Sequence, residues 1–212
     1  MNLGLLFIGG NTTINELTTI ATQAEESGFA SLCMAEAWRS GWVPLTAMAS
    51  VTSNIQLGTY VLNAYGRSPL LAGMSAIDFN DFCGGRLMLG LGGGNRIINE
   101  QWQGIGHERV LTKMREYVTL LQMIARTRFG EKVIYDGKIH RMDWAPSVDP
   151  GDEPFPVYLA AVFPKMLKVA AQVADGIAAG TTLSADYLRD VMKPQAAVAA
   201  EALRLCLVVG FT

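Results

Sequence analysis

The residues best suited to chemistry stand where short apolar runs of the sequence end. Glu36 closes the run that begins at Ser31, so its carboxylate sits in an apolar surround where protonation could be tuned. Asn63 closes a later run and is followed by Arg67, which brings an amide and a guanidinium to a similar position. Glu36 could also form an ordinary ion pair with Arg67 or Arg86. From the residues alone, two roles of Glu36 stay open: a carboxylate that exchanges protons and a member of a structural ion pair.

A cluster of glycines closes a further apolar run, in Gly90-Leu91-Gly92-Gly93-Gly94-Asn95. Glycine lets the backbone come close to a flat ligand or adopt positive φ. Dinucleotide-binding folds carry G-x-G-x-x-G at their first strand, and that spacing is not met there. The cluster therefore predicts close contact with a ligand and does not predict a Rossmann phosphate loop.

A possible phosphate site follows at a helix start. Pro164 suits the first position of a helix, whose first amides and nearby Lys165 could hold an anion. Thr181 and Thr182 follow the next apolar run, and their hydroxyls could complete such a site. An ordinary helix start and a capped loop explain these residues equally well.

The two histidines fall away from the strand ends, His107 in a loop and His140 in a predicted hairpin, so both are expected to be surface or packing residues. The sequence has no Ser-His-Asp arrangement, no Walker-type loop and no zinc-spaced cluster, and no metal site is predicted. Trp38, Trp42, Trp102 and Trp144 could wall an apolar pocket or simply pack in the core.

Strands and helices alternate around these positions. Thr13 and Glu16 form the capping box of a first helix, which Gly28 is suited to end. A hairpin with a two-residue Asp136-Gly137 turn is predicted inside an insertion at residues 129–156. Further helices are predicted after Pro69, along the stripe from Val110 to Ile124, and after Pro164. Strands are predicted at residues 3–8, 31–35, 55–62, 87–91, 157–161 and from 176 to 179.

Repeated strand-helix units predict a parallel sheet, either a closed barrel or an open doubly wound sheet. Six strands are clear, residues 203–209 are a possible seventh, and a complete eight-unit barrel takes ~250 residues. We therefore predict one α/β domain over residues 1–212, a (β/α)8 TIM-type barrel with about six or seven βα units and missing or shortened carboxyl-terminal strands.

The composition excludes several classes of protein. Half of the 212 residues are hydrophobic, which excludes a disordered chain, and 17 basic residues against 19 acidic ones leave no basic face for nucleic acid. The amino terminus lacks the signal-peptide pattern, and no apolar run approaches the ~20 residues of a membrane span, so a cytoplasmic protein is expected. Cys33, Cys83 and Cys206 are predicted to be reduced, structural thiols.

Several segments together resemble the luciferase-like superfamily. They are Gly58-Thr59-Tyr60-Val61-Leu62-Asn63, with Arg67 and Pro69, and the segment at residues 84–94. Residues 156–161, 164–166 and 174–176 resemble the branch that uses the deazaflavin coenzyme F420. The resemblance covers nearly residues 1 to 182.

The resemblance implies a barrel that binds the flavin-like ring at its strand ends, beside a bulge in the third strand. Such bulges often contain a non-proline cis peptide, here at Tyr60-Val61 or Val61-Leu62. Glu36 would be the catalytic residue, in contact with the ring. The implied cofactor contacts are Tyr60, Val61, Asn63, Gly93, Gly94, Asn95, Val162, Phe163, Lys165, Met166 and Thr181.

Two departures from the resemblance bear on the reaction. Ala37 stands where many relatives have histidine, and Asn95 stands where sugar-phosphate dehydrogenase relatives have an acid. Hydride transfer to an activated double bond or imine of a small molecule is therefore favoured over alcohol oxidation. The alternatives are an FMN-dependent monooxygenase and a truncated, non-catalytic flavin-binding barrel. A homodimer is expected, with no nucleic-acid or membrane partner.

Overall fold

The short apolar runs form parallel strands that pair into one curled sheet. The computed structural model describes residues 3–148, 151, 154–180, 183–197, 204–206 and 209–211. The strands are β1 (Gly4–Phe7), β2 (Ser31–Met34), β3 (Gln56–Thr59), β4 (Leu62–Asn63), β5 (Leu87–Gly92), β6 (Val133–Asp136), β7 (Arg141–Trp144), β8 (Val157–Ala160), β9 (Gly176–Ala178), β10 (Arg204–Cys206) and β11 (Val209–Phe211).

The strand order confirms the predicted α/β class and its curled parallel sheet. The sheet runs β10-β9-β8-β5-β3-β2-β1-β11, with β4 beside β5. The strands of this sheet pair in parallel. β10 ends at Cys206 and β11 begins at Val209, three residues later. Three residues span at most about 11 Å, so the two strands at the ends of the sheet order lie close together. β10 and β11 overlap the possible seventh strand.

Helices cover the outside of the sheet. They are α1 (Ile14–Glu26), α2 (Trp42–Ala49), α3 (Pro69–Phe82), α4 (Val110–Arg126), α5 (Pro164–Val173), α6 (Ala185–Tyr187) and α7 (Lys193–Ala197), with π-helical segments at Ile97–Trp102 and Leu188–Met192. The capping box before α1 is confirmed, since the Glu16 N–H donates to Thr13 Oγ1 at 3.2 Å and the Thr13 N–H donates to Glu16 Oε2 at 2.7 Å. Gly28 follows the helix with a φ of +79°. α2 has no counterpart among the predicted helices, and Gly41 before it offers no side-chain cap.

The third predicted strand is broken, which corrects the prediction of one strand over residues 55–62. β3 ends at Thr59, and the non-proline cis peptide that the resemblance implied lies between Tyr60 and Val61. The Thr59 hydroxyl donates to the Gly90 carbonyl at 2.7 Å and accepts the Gly90 N–H at 2.9 Å. A side chain thus replaces the backbone ladder where the strand leaves the sheet.

The hairpin is present, but its two-residue turn was a wrong prediction. β6 and β7 pair from Val133 opposite Trp144 to Asp136 opposite Arg141, which leaves the four residues 137–140 in the loop. The Glu116 carboxylate on α4 accepts the N–H groups of residues 138–140 at 2.7, 2.9 and 2.9 Å. This tertiary contact satisfies three loop amides and favours the wider turn.

We predict that Glu116→Gln makes the protein less stable at pH 7 and less sensitive to acid. Burial opposes ionisation of Glu116, but the three backbone N–H donors prevail and lower its pKa. A lowered folded pKa contributes stability above the ordinary carboxyl pKa, and that stability is lost as the pH falls through the folded value. Urea unfolding between pH 7 and pH 3 measures both effects. Asp143→Asn, at an exposed ion pair of the same hairpin, is the control and should change neither.

Two groups of buried side chains fill the molecule. The larger lies between the sheet and the helices, and the smaller fills the inside of the curled sheet with Leu6, Cys33, Met88, Tyr158 and Ala178. Cys33 and Cys83 are buried, whereas the Cys206 side chain lies outside the described residues. None of the described helices combines the length and the apolar character that crossing a membrane requires.

Candidate active site

A cleft of about 730 Å³ opens at the carboxyl ends of the parallel strands. Apolar side chains and bare backbone form most of its wall, with Ala35, Ala160 and Ala178 among them, and Tyr60, Arg96 and His107 are its ionisable residues among the described ones. Parallel α/β folds bind ligands at this edge of the sheet. The cleft is lined by these residues of the predicted cofactor set: Tyr60, Val61, Gly93, Gly94, Asn95, Val162, Phe163 and Met166.

The glycine run at the end of β5 forms one wall of the cleft. A Cβ at Gly92 would lie 2.6 Å from Val61 Cγ2, and one at Gly93 would lie 3.1 Å from Val110 Cγ1. Gly94 has a φ of +62°. Close packing and positive φ therefore require glycine here, and the same absence of side chains exposes backbone to a ligand.

Two buried asparagines hold this glycine wall. Asn63 Nδ2 donates to Asn99 Oδ1 at 2.8 Å, and Asn99 Nδ2 donates to the Gly93 carbonyl at 2.7 Å. Asn63 Oδ1 accepts the Tyr65 N–H at 2.8 Å. Asn63 was predicted to contact the cofactor. Its side-chain amide forms hydrogen bonds with Asn99 and Tyr65, behind the glycine wall. Sequence reasoning missed Asn99, because nothing local marks a polar residue of the Ile97–Trp102 segment as buried.

Glu36 forms a paired carboxylate beside the cleft. Arg67 donates to it through Nη1 and Nη2, both at 2.6 Å, and the Asn63 N–H donates to Oε2 at 3.0 Å. The ion pair that the residues left open is therefore present with Arg67, while Arg86 donates to carbonyls near the end of α2. Glu36 lines a neighbouring pocket of about 350 Å³, together with Trp38.

We predict strong coupling between Glu36 and Arg67. Their side chains are only 15% and 17% exposed, so Glu36→Gln or Arg67→Met alone should lower the free energy of unfolding by about 2 kcal/mol. The double variant should cost much less than the sum, because neither charge is then left unpaired. Urea unfolding of the parent protein, the two single variants and the double variant completes the double-mutant cycle. Additive losses would contradict a structural role for the pair.

The start of α5 is less open to a phosphate than the sequence suggests. The Met166 N–H donates to the Phe163 carbonyl at 3.0 Å, so this amide is already engaged. Lys165 is exposed and lines a different groove, between α4 and α5. The Val162 carbonyl accepts the Tyr187 hydroxyl at 2.8 Å. Thr181 lies outside the described residues.

Two ring residues shape the cleft in ways the sequence did not reveal. The Tyr60 hydroxyl donates to the Ala179 carbonyl, which ties the end of β3 to the end of β9 across the cleft. His107, expected to be a surface or packing residue, packs against Tyr65 and also lies in the cleft wall. Its ring meets Tyr65 edge-on at 5.1 Å, and its buried Nε2 has no hydrogen-bond partner among the described residues. His140 does pack, edge-on against Tyr117 at 5.6 Å.

The four tryptophans divide between the two roles that the sequence left open. Trp38 and Trp102 form an exposed pair with ring centroids 5.9 Å apart, and both line the pocket beside Glu36. Trp42 packs on Phe79 at 5.5 Å, and Trp144 packs against the main core. Only the first pair is placed to meet a ligand.

Comparison with known proteins assigns this arrangement to a family. The family model for luciferase-like monooxygenase matches residues 1–207. The chain belongs to this family. The resemblance identified from the sequence is thereby confirmed.

The luciferase-like chain is similar to proteins whose names include coenzyme F420 or tetrahydromethanopterin. It is 33% identical, over 88% of its length, to a 5,10-methylenetetrahydromethanopterin reductase of Archaeoglobus fulgidus. The structure of the coenzyme F420-dependent tetrahydromethanopterin reductase from Methanopyrus kandleri matches all of the chain and 65% of that protein, at 20% identity and a TM-score of 0.79. An F420-dependent secondary alcohol dehydrogenase, solved with an F420-acetone adduct, matches 98% of this chain and 68% of its own, at 16% identity and a TM-score of 0.85.

These likenesses support the TIM-barrel type of fold for the luciferase-like chain. The chain spans about half the length of the curated relatives it matches, 55% for the Archaeoglobus fulgidus reductase. The ligands and reactions in the names of those relatives are properties of proteins about twice as long as this chain.

Proposed function

We propose that this protein is an oxidoreductase that binds coenzyme F420 in the cleft and transfers hydride to or from a small organic substrate. The observation that carries the proposal is the bare glycine wall of β5, which faces an apolar cleft at the strand ends. The F420 named in several relatives supports the choice of cofactor. FMN is the alternative occupant, because its ring has the same flat shape.

The cleft fits a flat, tricyclic ring on two counts. Its volume of about 730 Å³ lies within the usual range of small-molecule sites. Alanine side chains and glycine backbone at its walls leave width for a planar group, whereas a Cβ on Gly92 would meet Val61. Backbone at the wall also offers amide groups to the edge of such a ring.

The residues that would hold the cofactor follow from the lining of the cleft. Tyr60 and Val61 would lie behind the ring and Gly93 and Gly94 along its edge. The phosphate would lie near the start of α5, without the Met166 N–H, which is engaged by the Phe163 carbonyl. When bound, the deazaflavin supplies a two-electron hydride donor or acceptor. The apolar walls would exclude water from the transfer, which favours reduction of the substrate over side reactions.

Reduction of an activated double bond or imine is the reaction class we favour. The substrate then gains a hydride and one proton, so the protein needs a single proton donor in the cleft. Glu36 is tied to Arg67, and Asn95 Oδ1 accepts the Ile98 N–H at 2.8 Å. We assign the proton-donating role to His107, whose Nε2 has no partner among the described residues, and a positioning role to Glu36.

We predict that His107→Asn lowers kcat more than it raises KM. Asparagine keeps a polar side chain in the cleft wall but cannot transfer a proton as a histidine ring can. Steady-state kinetics of the variant and the parent protein measure both constants. An unchanged kcat, or a change confined to KM, would assign His107 to substrate binding instead.

Binding and turnover test the proposed function in two steps. Oxidised F420 and FMN are titrated separately into the protein, and we expect the deazaflavin to bind at least tenfold more tightly. Protein with reduced F420 is then mixed with a set of enones, imines and quinones while deazaflavin absorbance is followed. Preferred binding of FMN with oxygen consumption would favour the monooxygenase alternative. Binding of F420 without any turnover would favour a non-catalytic flavin-binding barrel.

A homodimer through α2 and α3 completes the proposal. Val43, Leu71 and Phe82 on these helices are 63%, 54% and 55% exposed, and the Trp42 ring of α2 contacts the Phe79 ring of α3. Large apolar side chains exposed to solvent are a feature of association surfaces. Sedimentation velocity of the parent protein should give twice the mass of one chain. The double variant Leu71→Glu/Phe82→Glu should sediment with the mass of a single chain.

A further inference from the structure

A second groove, of about 760 Å³, lies on the outside of the fold between α4, α5 and the hairpin β6-β7. It is separate from the cleft, because Val110 lines the cleft while the next residue of α4, Leu111, lines the groove. Elements far apart in the sequence bring five basic residues into it: Arg115, Lys138, Arg141, Lys165 and Lys168.

The acidic residues of the groove do not balance these charges. Glu116 directs its carboxylate to the backbone N–H groups of residues 138–140, and its residue is only 5% exposed. Asp136 pairs with Arg141 at 2.7 Å. Lys138, Lys165 and Lys168 remain without an ion pair among the described residues, and Arg115 donates to the neutral Gln172 at 2.6 Å.

Several basic residues elsewhere on the described surface are paired with acidic residues. Arg126 pairs with Asp175, Lys132 with Asp143, and Arg189 with both Asp186 and Asp190. The whole chain carries a net charge of -2. The positive charge of the groove is therefore a local feature and not the consequence of a basic protein. Like charges that converge in a concave site repel each other and raise the local concentration of anions.

The floor of the groove suits an organic ligand. Leu111, Val169 and Tyr135 supply apolar surface between the cationic side chains. The hairpin tip that carries Lys138 is fixed over α4 by Glu116, and a Cβ at Gly137 would lie 2.5 Å from the Glu116 carboxylate. These contacts fix the backbone of the hairpin tip relative to α4, and with it the position from which the Lys138 side chain extends.

We propose that this groove is a binding site for an organic polyanion that carries several phosphate or carboxylate groups. Three unpaired lysines and one arginine can meet three or four negative charges, and the apolar floor can accept the body of the molecule. The proposal does not depend on the cofactor or the reaction assigned to the cleft.

Calorimetric titration with two probes, inorganic tripolyphosphate and citrate, tests the site. The Lys138→Ala/Lys168→Ala variant removes two unpaired cations and should weaken binding of the preferred probe by about tenfold. The control, Lys132→Ala/Lys193→Ala, removes the same charge from exposed positions outside the groove and should leave the affinity within twofold. Tighter binding of tripolyphosphate identifies phosphate as the preferred group, and tighter binding of citrate identifies carboxylate.

Three results would overturn the proposal. The first is no binding of either probe to the parent protein at millimolar concentration and low salt. The second is an equal loss of affinity in the control variant, which would show that the probes sense only the overall charge. The third is an unchanged affinity in the groove variant. Thermal unfolding of both variants checks that the lost lysines leave the fold intact.

Discussion

Replacing Ala160 with tryptophan should abolish cofactor binding and leave the protein folded. Ala160 ends β8, packs beside the group that fills the inside of the sheet, and lines the cleft. An indole there would occupy the width that a planar ring needs, beside the glycine wall of β5, since β8 pairs with β5 and Ala160 Cβ lies 3.2 Å from a Cβ built at Gly92. Because Ala160 is partly exposed to an open cleft, the added volume meets solvent and not packed core.

Two measurements separate loss of binding from loss of structure. Fluorescence titration with F420 should show an affinity at least 100-fold weaker in Ala160→Trp, while the Tm changes by only a few degrees. Ala160→Ser adds a single oxygen at the same position and should bind nearly as the parent does. Tight binding by the tryptophan variant would place the cofactor elsewhere, and the assignment of the cleft would fail.

The position of the cleft could be predicted from the sequence because strand ends are local features. The glycine run of residues 90–94 follows an apolar strand, and parallel strands bring their carboxyl ends to one edge of a sheet. Eight residues of the predicted cofactor set accordingly line one cleft. The prediction needed the order of the strands along the chain and no long-range contact.

The partners of polar side chains could not be predicted in the same way. Glu36 and Arg67 are 31 residues apart, and the sequence allowed Arg86 equally well. Only the fold shows that Arg86 points to carbonyls near α2. The position of His107 could not be predicted for the same reason. Its loop follows the Ile97–Trp102 segment, and only the fold brings it to the cleft wall.

The errors in secondary structure have physical causes of the same kind. The Asp136-Gly137 pair favours a two-residue turn locally, but the Glu116 carboxylate supplies acceptors for a four-residue loop. The strand predicted over residues 55–62 is interrupted because the Thr59 hydroxyl bonds Gly90 in place of the ladder. Tertiary contacts thus overrode correct local preferences at two places, one of them beside the candidate site.

Replacing Gly90 with alanine should have the largest effect on stability. A Cβ at Gly90 would lie 2.1 Å from the Thr59 carbonyl oxygen and 3.1 Å from Val61 Cγ1. The first of these atoms is backbone, so no rotamer change can relieve the overlap, and β3 must move away from β5. We expect the free energy of unfolding to fall by more than about 3 kcal/mol, a large part of the stability of a domain of this size.

Gly106→Ala is the matched control for this substitution. No heavy atom lies within 4 Å of a Cβ built there, so the change should stay within about 0.5 kcal/mol in urea unfolding. Equal midpoints for the two alanine variants would contradict the close approach of β3 and β5. Gly90→Ala should also weaken F420 binding, since the hydrogen bonds between Gly90 and Thr59 hold the chain just before Tyr60 and Val61 in the cleft. It would lose binding together with stability, whereas Ala160→Trp would lose binding alone, so the pair distinguishes the wall of the cleft from the space inside it.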